Sequence, residues 1–314
     1  MRELALGWRL GTIALLGVAC AACTSSPTAT SGSTSSPAAT AVAPTSSPSS
    51  TAPVENQTTA AGELAGELAG ELITPGRVVV CMVFGVPRVA VYDANEEPTG
   101  QSVEFVLELA HRLNLEPELR DTIFEDIIGA IEAGDCDFSL AGHFITPERL
   151  ERIEMIPYLK GRQQIVVRYG NPEGFEDSKD LCGKAVSSRA GTIQEDLVRG
   201  VGLYQGSGLD DACAEAGLPS IDLVTFPGEA EAVDALLQGE VVVFLGGTTW
   251  LAEYPDELAL VPAVVLPEYT NGIGVRKDHP LLANALRSSL AAIIADGTYL
   301  RIHNTWGVGQ PITP

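Results

Sequence analysis

Basic side chains are scarce in this sequence: 19 Lys and Arg stand against 41 Asp and Glu in 314 residues, a formal charge of −22. A nucleic-acid partner needs a basic footprint, so the composition argues against that class. The excess of acid suits the solubility of an exported protein. A preference for a cationic ligand does not follow from total charge. Histidine is rarer still. His111, His143, His279 and His303 show no metal-ligand spacing, and the cysteines fit no zinc pattern, so neither metal nor cofactor is expected. The apolar stretch near the start, "LGTIALLGVA" at 10–19, is too short to span a bilayer comfortably.

That stretch follows Arg2 and Arg9 and ends at Cys20, the layout of a signal peptide over 1–20. "LGVAC" resembles a bacterial lipobox, whose cysteine is lipidated and becomes the first residue. Cys23, in "CAAC", is the competing site and fits that pattern less well. The expectation is an extracytoplasmic protein, periplasmic or on the outer face of the cell membrane, anchored through lipid at Cys20. Of residues 24–54, 28 of 31 are Ser, Thr, Pro or Ala, with too little apolar surface to offset the entropy of ordering. A short repeat, "GELAGELAGEL" at 62–72, reads as a further piece of this tether, the alternative being a binding helix. The tether is thus expected over 21–76 and the folded part over 77–314, enough for one large or two small domains.

Cys81, Cys136, Cys182 and Cys213 remain, in a compartment where disulfides persist. Cys182 and Cys213 both lie in polar, turn-like contexts, "KDLCGK" and "DDACAEAG", and are paired on that ground. Cys81, inside the apolar run "VVVCMVF", and Cys136, at a strand entrance, read as buried free thiols.

From Arg77 the apolar patterns alternate between strand and helix. "RVVVCMV" is a continuous apolar run, as in a doubly covered strand. "SVEFVLELAHRLNL" sets Val103, Val106, Leu107, Ala110 and Leu113 at helical spacing, with Asn114 as a stop. "EPELRDTI" reads as a strand, "FEDIIGAIEAGD" as a short helix and "CDFSLAG" as a third strand. A second series runs through "QQIVVRY", "KAVSSRA", "GTIQEDLVRGV", "IDLVTF", "GEAEAVDALLQGE" and "VVVFLGG". The chain then passes "NGIGVRK" into two C-terminal helices. Two α/β lobes joined by two crossing strands account for this order, and ligands of such folds bind beyond the carboxyl ends of the strands, between lobes.

"IFEDIIGAIEAGDCDFSLAGHFITPERLERI", together with "GQSVEFVLELAHRL", "DLCGKAV" leading to "AGTIQE", and "IIADGTYLRIHNTWG", resembles the bacterial extracellular solute-binding proteins of family 3, over essentially all of 77–314. The resemblance implies a type II periplasmic-binding-protein fold, a two-lobed clamp that closes on a small ligand and presents it to an ABC permease. Its lobes would be 77–164 plus 272–314, and 165–271. The likeness implies a monomer that captures an amino acid or related small carboxylate without transforming it.

Arg149 matches the family arginine that grips the ligand α-carboxylate. Thr146 and Pro147 start its helix, and a guanidinium offers paired donors to a carboxylate. The plain alternative is an ion pair with Glu151, Glu154 or a neighbouring turn. In the second lobe, Gly191, Thr192 and Glu195 suggest a capping box, and the 192–193 amides would meet the same carboxylate, so Ile193 joins Thr192 as a site residue. Gly142 and apolar walls of Phe84, Phe124 and Phe144 complete the expected lining, with stacking on a planar or cationic ligand group as the functional reading and core packing as the other. His143 reads as a bystander.

Two departures stand out. Gly247 falls where the family places the aspartate that holds an α-amino group, and Phe144 falls where a small polar residue is usual. Either another acid replaces the aspartate, or the ligand is not a standard α-amino acid; Thr248 or Thr249 could supply hydroxyls but no charge. The fold also resembles exported cyclohexadienyl dehydratases, so an enzyme is the competing class, although no paired histidine, nucleophile or metal motif is visible. A ligand sensor is a third class and would need a separate signalling partner.

Overall fold

The β-branched run of β1 (Arg77–Met82) is buried along almost its whole length, as a strand covered on both faces must be. The computed structural model describes residues 66–162, 164–262 and 266–312. The signal peptide, Cys20, Cys23 and the Ser/Thr/Pro/Ala segment lie outside the described residues. After β1 come the two-residue strands β2 (Val91–Tyr92) and β3 (Pro98–Thr99), then α1 (Gln101–Leu113), β4 (Glu116–Asp121), α2 (Ile127–Ala133) and β5 (Phe138–Ser139). β1 pairs in parallel with β4 on one side and β5 on the other. In α1, Val103, Val106, Ala110 and Leu113 face inward as the spacing predicts. Leu107 instead lies 43 % exposed, because Phe105 and Leu109 fill the core on its flanks. Asn114 ends the helix in the left-handed conformation, at φ 54°.

After α3 (Pro147–Arg152), the long β6 (Glu154–Arg162) stays in this sheet, and β7 (Gln164–Arg168) opens a second one. The second sheet gains β8 (Ala185–Arg189), β9 (Asp222–Phe226), β10 (Val243–Gly246) and β11 (Leu258–Leu260). The helices α4 (Ile193–Arg199), α5 (Leu209–Glu215), α6 (Glu229–Gln238) and α7 (Trp250–Glu253) lie between these strands in sequence. The chain returns through β12 (Glu268–Val275) and ends with α8 (Pro280–Ala295), α9 (Thr298–Trp306) and β13 (Gln310–Pro311). The strand orders are β13-β6-β12-β5-β1-β4 and β11-β7-β10-β8-β9. This is the two-lobed type II fold. β12 pairs with β6 from Glu268 onward, so the return to the first sheet precedes residue 272.

Two expectations are overturned here. The tether does not reach residue 76. Leu68 and Leu72 of the GELA repeat are buried in the same core as Val106, Leu109 and Leu286. The Glu71 carboxylate accepts hydrogen bonds from the N–H groups of Leu281 (3.2 Å) and Leu282 (2.8 Å), in the first turn of α8. The Ile73 N–H donates to Asp137 Oδ1 at 2.8 Å, and Asp137 Oδ2 accepts from Val79 N–H at 2.6 Å. A four-residue spacing between leucines is one helical turn, and here it turns both toward the core. The second correction concerns Cys81 and Cys136, which form a disulfide with Cα atoms 5.8 Å apart. Both sit in the core beneath α2, where β1 and the entrance to β5 lie side by side. Cys182 and Cys213 are also joined, at 5.6 Å between Cα atoms.

Candidate functional site

A cavity of about 400 Å³ opens beyond the carboxyl ends of β5, β8 and β10, between the two sheets. It is the size of a small-molecule site and lies where open parallel sheets take their ligands. Gly142, Phe144, Arg149 and Phe124 line it from the first lobe, and Thr192, Ile193 and Gly247 from the second. Phe84 is not among the lining residues. It follows β1 toward the β2–β3 hairpin, where its ring stacks on Tyr92 with centroids 4.5 Å apart.

Arg149 sits in the first turn of α3 for local reasons. Thr146 caps the helix, its hydroxyl accepting from the Arg149 N–H at 3.2 Å, and Pro147 takes the first helical position. The guanidinium makes no ion pair with Glu151 or Glu154; Glu154 pairs with Arg287 instead. Arg149 Nη1 donates to the Phe144 carbonyl at 2.9 Å, and Nη2 reaches across the cleft to the Gly191 carbonyl at 3.1 Å. Burial lowers its pKa to about 10, with Asp196 opposing the shift, so the group is a cation at neutral pH. The Phe144 backbone thus orients the arginine, while its ring packs on Tyr269 at 5.1 Å.

The expected capping box at Thr192 is not formed. The Thr192 hydroxyl donates to the Arg189 carbonyl at 2.7 Å and makes no cap bond to α4. Glu195 reaches back one residue further than expected, accepting from the Gly191 N–H at 3.2 Å. The buried strand end competes for the hydroxyl, and Gly191, at φ 69°, supplies the turn.

Two buried charged residues of the cavity were not singled out from the sequence. Arg189, at the carboxyl end of β8, is only 8 % exposed, and its Cζ lies 3.8 Å from the centroid of the Phe124 ring. Phe124 also stacks on His143, centroids 4.0 Å apart. Burial holds the His143 pKa well below its ordinary value, with Arg149 and Arg189 adding to the effect, so this ring is neutral. Glu229 is the first residue of α6 and is also buried. Its Oε2 accepts from Trp250 Nε1 at 3.1 Å, and its Oε1 stands 3.8 Å from Arg189 Nη2. A Cβ placed on Gly247 would lie 3.6 Å from Glu229 Oε2. An acid from a different element therefore stands beside Gly247. Arg189 had one legible signal, a charge closing a parallel strand; Glu229 had none to separate it from any acid in a first helical turn. Asn271, on β12, is a further buried polar residue of the lining. Among the described residues no group of His, Cys, Asp and Glu could hold a metal ion, and no helix is long and apolar enough to cross a membrane.

Comparison with known proteins agrees with this geometry. ABC transporter arginine-binding protein 1 of Escherichia coli is 25% identical over 221 residues, 68% of this chain and 83% of that protein. An ancestral arginine-binding protein solved with arginine matches at 25% identity with a TM-score of 0.63, over 74% of this chain and 98% of that one. An ancestral amino acid-binding protein described as a precursor of cyclohexadienyl dehydratase shares the fold, at 23% identity and a TM-score of 0.63, over 77% and 98% of the two chains. Residues 78–309 match one family throughout. With its two lobes and the basic cleft between them, the chain belongs to the bacterial extracellular solute-binding proteins, family 3.

Proposed function

We propose that this protein is a lipid-anchored, monomeric receptor that captures an amino acid or related small carboxylate in the interlobe cleft and delivers it to an ABC permease. The observation that carries this reading is Arg149, a half-buried cation at the cavity wall that already reaches from one lobe to the other. A carboxylate placed between its guanidinium and the Thr192–Ile193 wall would touch both lobes. Closing would then be favoured because the ligand binds the closed form better. Gly142, Phe124, Phe144 and Gly247 would shape the cavity around it. The first lobe would comprise 66–162 with 268–312 and the second 164–262, the second crossing lying just ahead of β12. Glu229 would supply the counter-charge for an α-ammonium that Gly247 cannot. Lipidation at Cys20, ahead of Cys23, would hold the protein at the outer face of the membrane.

The test is thermal unfolding of the full chain against amino acids, simple carboxylates and amines. A ligand at a hundred times its Kd stabilises by about 2.7 kcal/mol. The expected result is a shift with one amino acid or carboxylate that Arg149→Ala abolishes. A shift that survives Arg149→Ala removes the carboxylate role, and the absence of any shift removes the capture reading. Ligand recovered chemically unchanged after incubation supports capture, whereas conversion supports the dehydratase-like alternative. Cys20→Ser is expected to release the protein from the membrane fraction; retention would move the anchor to Cys23 or elsewhere.

A further inference from the structure

The cavity inverts the charge of the molecule around it. The chain has more than two acidic residues for every basic one. The lining nevertheless carries Arg88, Arg149, Lys160, Arg162 and Arg189 against only Glu229 and Glu268. Glu268 is already flanked by Lys160 at 3.8 Å and Arg162 at 3.5 Å, on the exposed rim. Deeper in, Arg189 and Glu229 are buried and Arg149 is half-buried; these three lining groups carry one positive charge in excess, with Asp196 acting on Arg149 from outside the lining.

Arg189 has the features of a ligand-binding group. It is buried, yet its Nε has no hydrogen-bond partner. Its contact with Glu229 is long for a hydrogen bond, at 3.8 Å, and Glu229 is committed on its other oxygen to Trp250. Both guanidiniums face one ring: Arg189 Cζ lies 3.8 Å and Arg149 Cζ 5.8 Å from the Phe124 centroid. Two like charges facing one ring, one of them buried, repel unless an anion stands with them. Arg189 also covers the aromatic surface on which a ligand guanidinium would stack, so the cavity is poorly made for a basic side chain.

Resting on the capture reading above, we infer that the ligand is an α-amino acid with a second anionic group: its α-carboxylate at Arg149, the second anion at Arg189 and its ammonium facing Glu229. Such a molecule carries one net negative charge, the complement of these three lining groups. A zwitterion leaves one positive charge uncompensated, and a basic amino acid leaves two. Glutamate and aspartate are the simplest members of the class.

The experiment is calorimetric titration of the full chain with glutamate, aspartate, glutamine, asparagine, arginine and glutarate, for the unaltered protein and for Arg189→Gln. The expected result is that one acidic amino acid binds roughly tenfold or more tightly than its own amide. Arg189→Gln should bring acid and amide to within about threefold by weakening the acid alone, which shows the variant to be folded and competent. Glutarate should bind more weakly than glutamate, because no ammonium meets Glu229. If amide and acid bind alike, or arginine binds best, the inference is overturned while capture stands. Equal weakening of acid and amide by Arg189→Gln overturns the second-anion role. Failure of all six compounds to bind sinks the inference and leaves capture to the wider panel.

Discussion

Arg149 and Arg189 illustrate how differently two arginines can be read. Arg149 lies in a turn whose Thr-Pro start is local, so its place at the cleft follows from sequence. Arg189 closes an ordinary strand, and only the approach of the second lobe to Phe124 makes it part of the site. Gly247 was legible as a departure from the family pattern, but the nearness of Glu229 to it was not. Glu229 lies far back in sequence, and it is the packing of α6 against β8 and β10 that brings the two together. The cysteines give the residue-scale prediction. The pair at 182 and 213 was legible in its two polar turns. The pair at 81 and 136 was not, because apolar surroundings suit a free thiol equally well. Replacing Cys81 and Cys136 together by Ala should lower stability by about 4 kcal/mol on the chain-entropy model, for a separation of 55 residues. The denaturant midpoint measures this, and a midpoint unchanged by the double substitution would show that the bridge contributes nothing.

At the scale of elements, the strap at 66–76 is the clearest case of tertiary structure overriding composition. Its Gly, Glu and Ala content gives no amphipathic stripe of useful length, and in isolation a segment so short would not hold a helix. Packing supplies what propensity does not: Leu68 and Leu72 enter the core, and Glu71 occupies the start of α8. The helices α1 and α8 were legible because their apolar positions recur over many turns. Leu68→Ala should therefore cost about 2–5 kcal/mol, as a fully buried leucine does. Glu71→Ala should cost about 1 kcal/mol, as the loss of a helix cap does. A chain begun at residue 77 would lose both contributions. Chemical denaturation of the three proteins checks this; equal midpoints would mean that the strap is only laid on the surface.

The whole molecule sets a long-range field against a short-range one. At 10 mM salt the Debye length is about 30 Å, so an approaching anion feels the net negative charge of the protein. At 150 mM it is about 8 Å, and the basic lining of the cavity dominates close approach. The association rate of an acidic ligand should accordingly rise with ionic strength over this range, as stopped-flow fluorescence would record. A rate that falls would mean that the local cationic field already reaches into solution.

Sequence alone determined the alternation of strands and helices, the two-lobed topology and the Thr-Pro turn that carries Arg149. These depend on local periodicity, caps and turns, which neighbouring residues encode. The Cys81–Cys136 bond, the docking of the strap, the turning of Phe84 onto Tyr92 and the meeting of Arg189 with Phe124 and Glu229 were decided by tertiary structure. Each joins groups on different elements, and their encounter depends on how sheets and lobes pack, which no local pattern specifies.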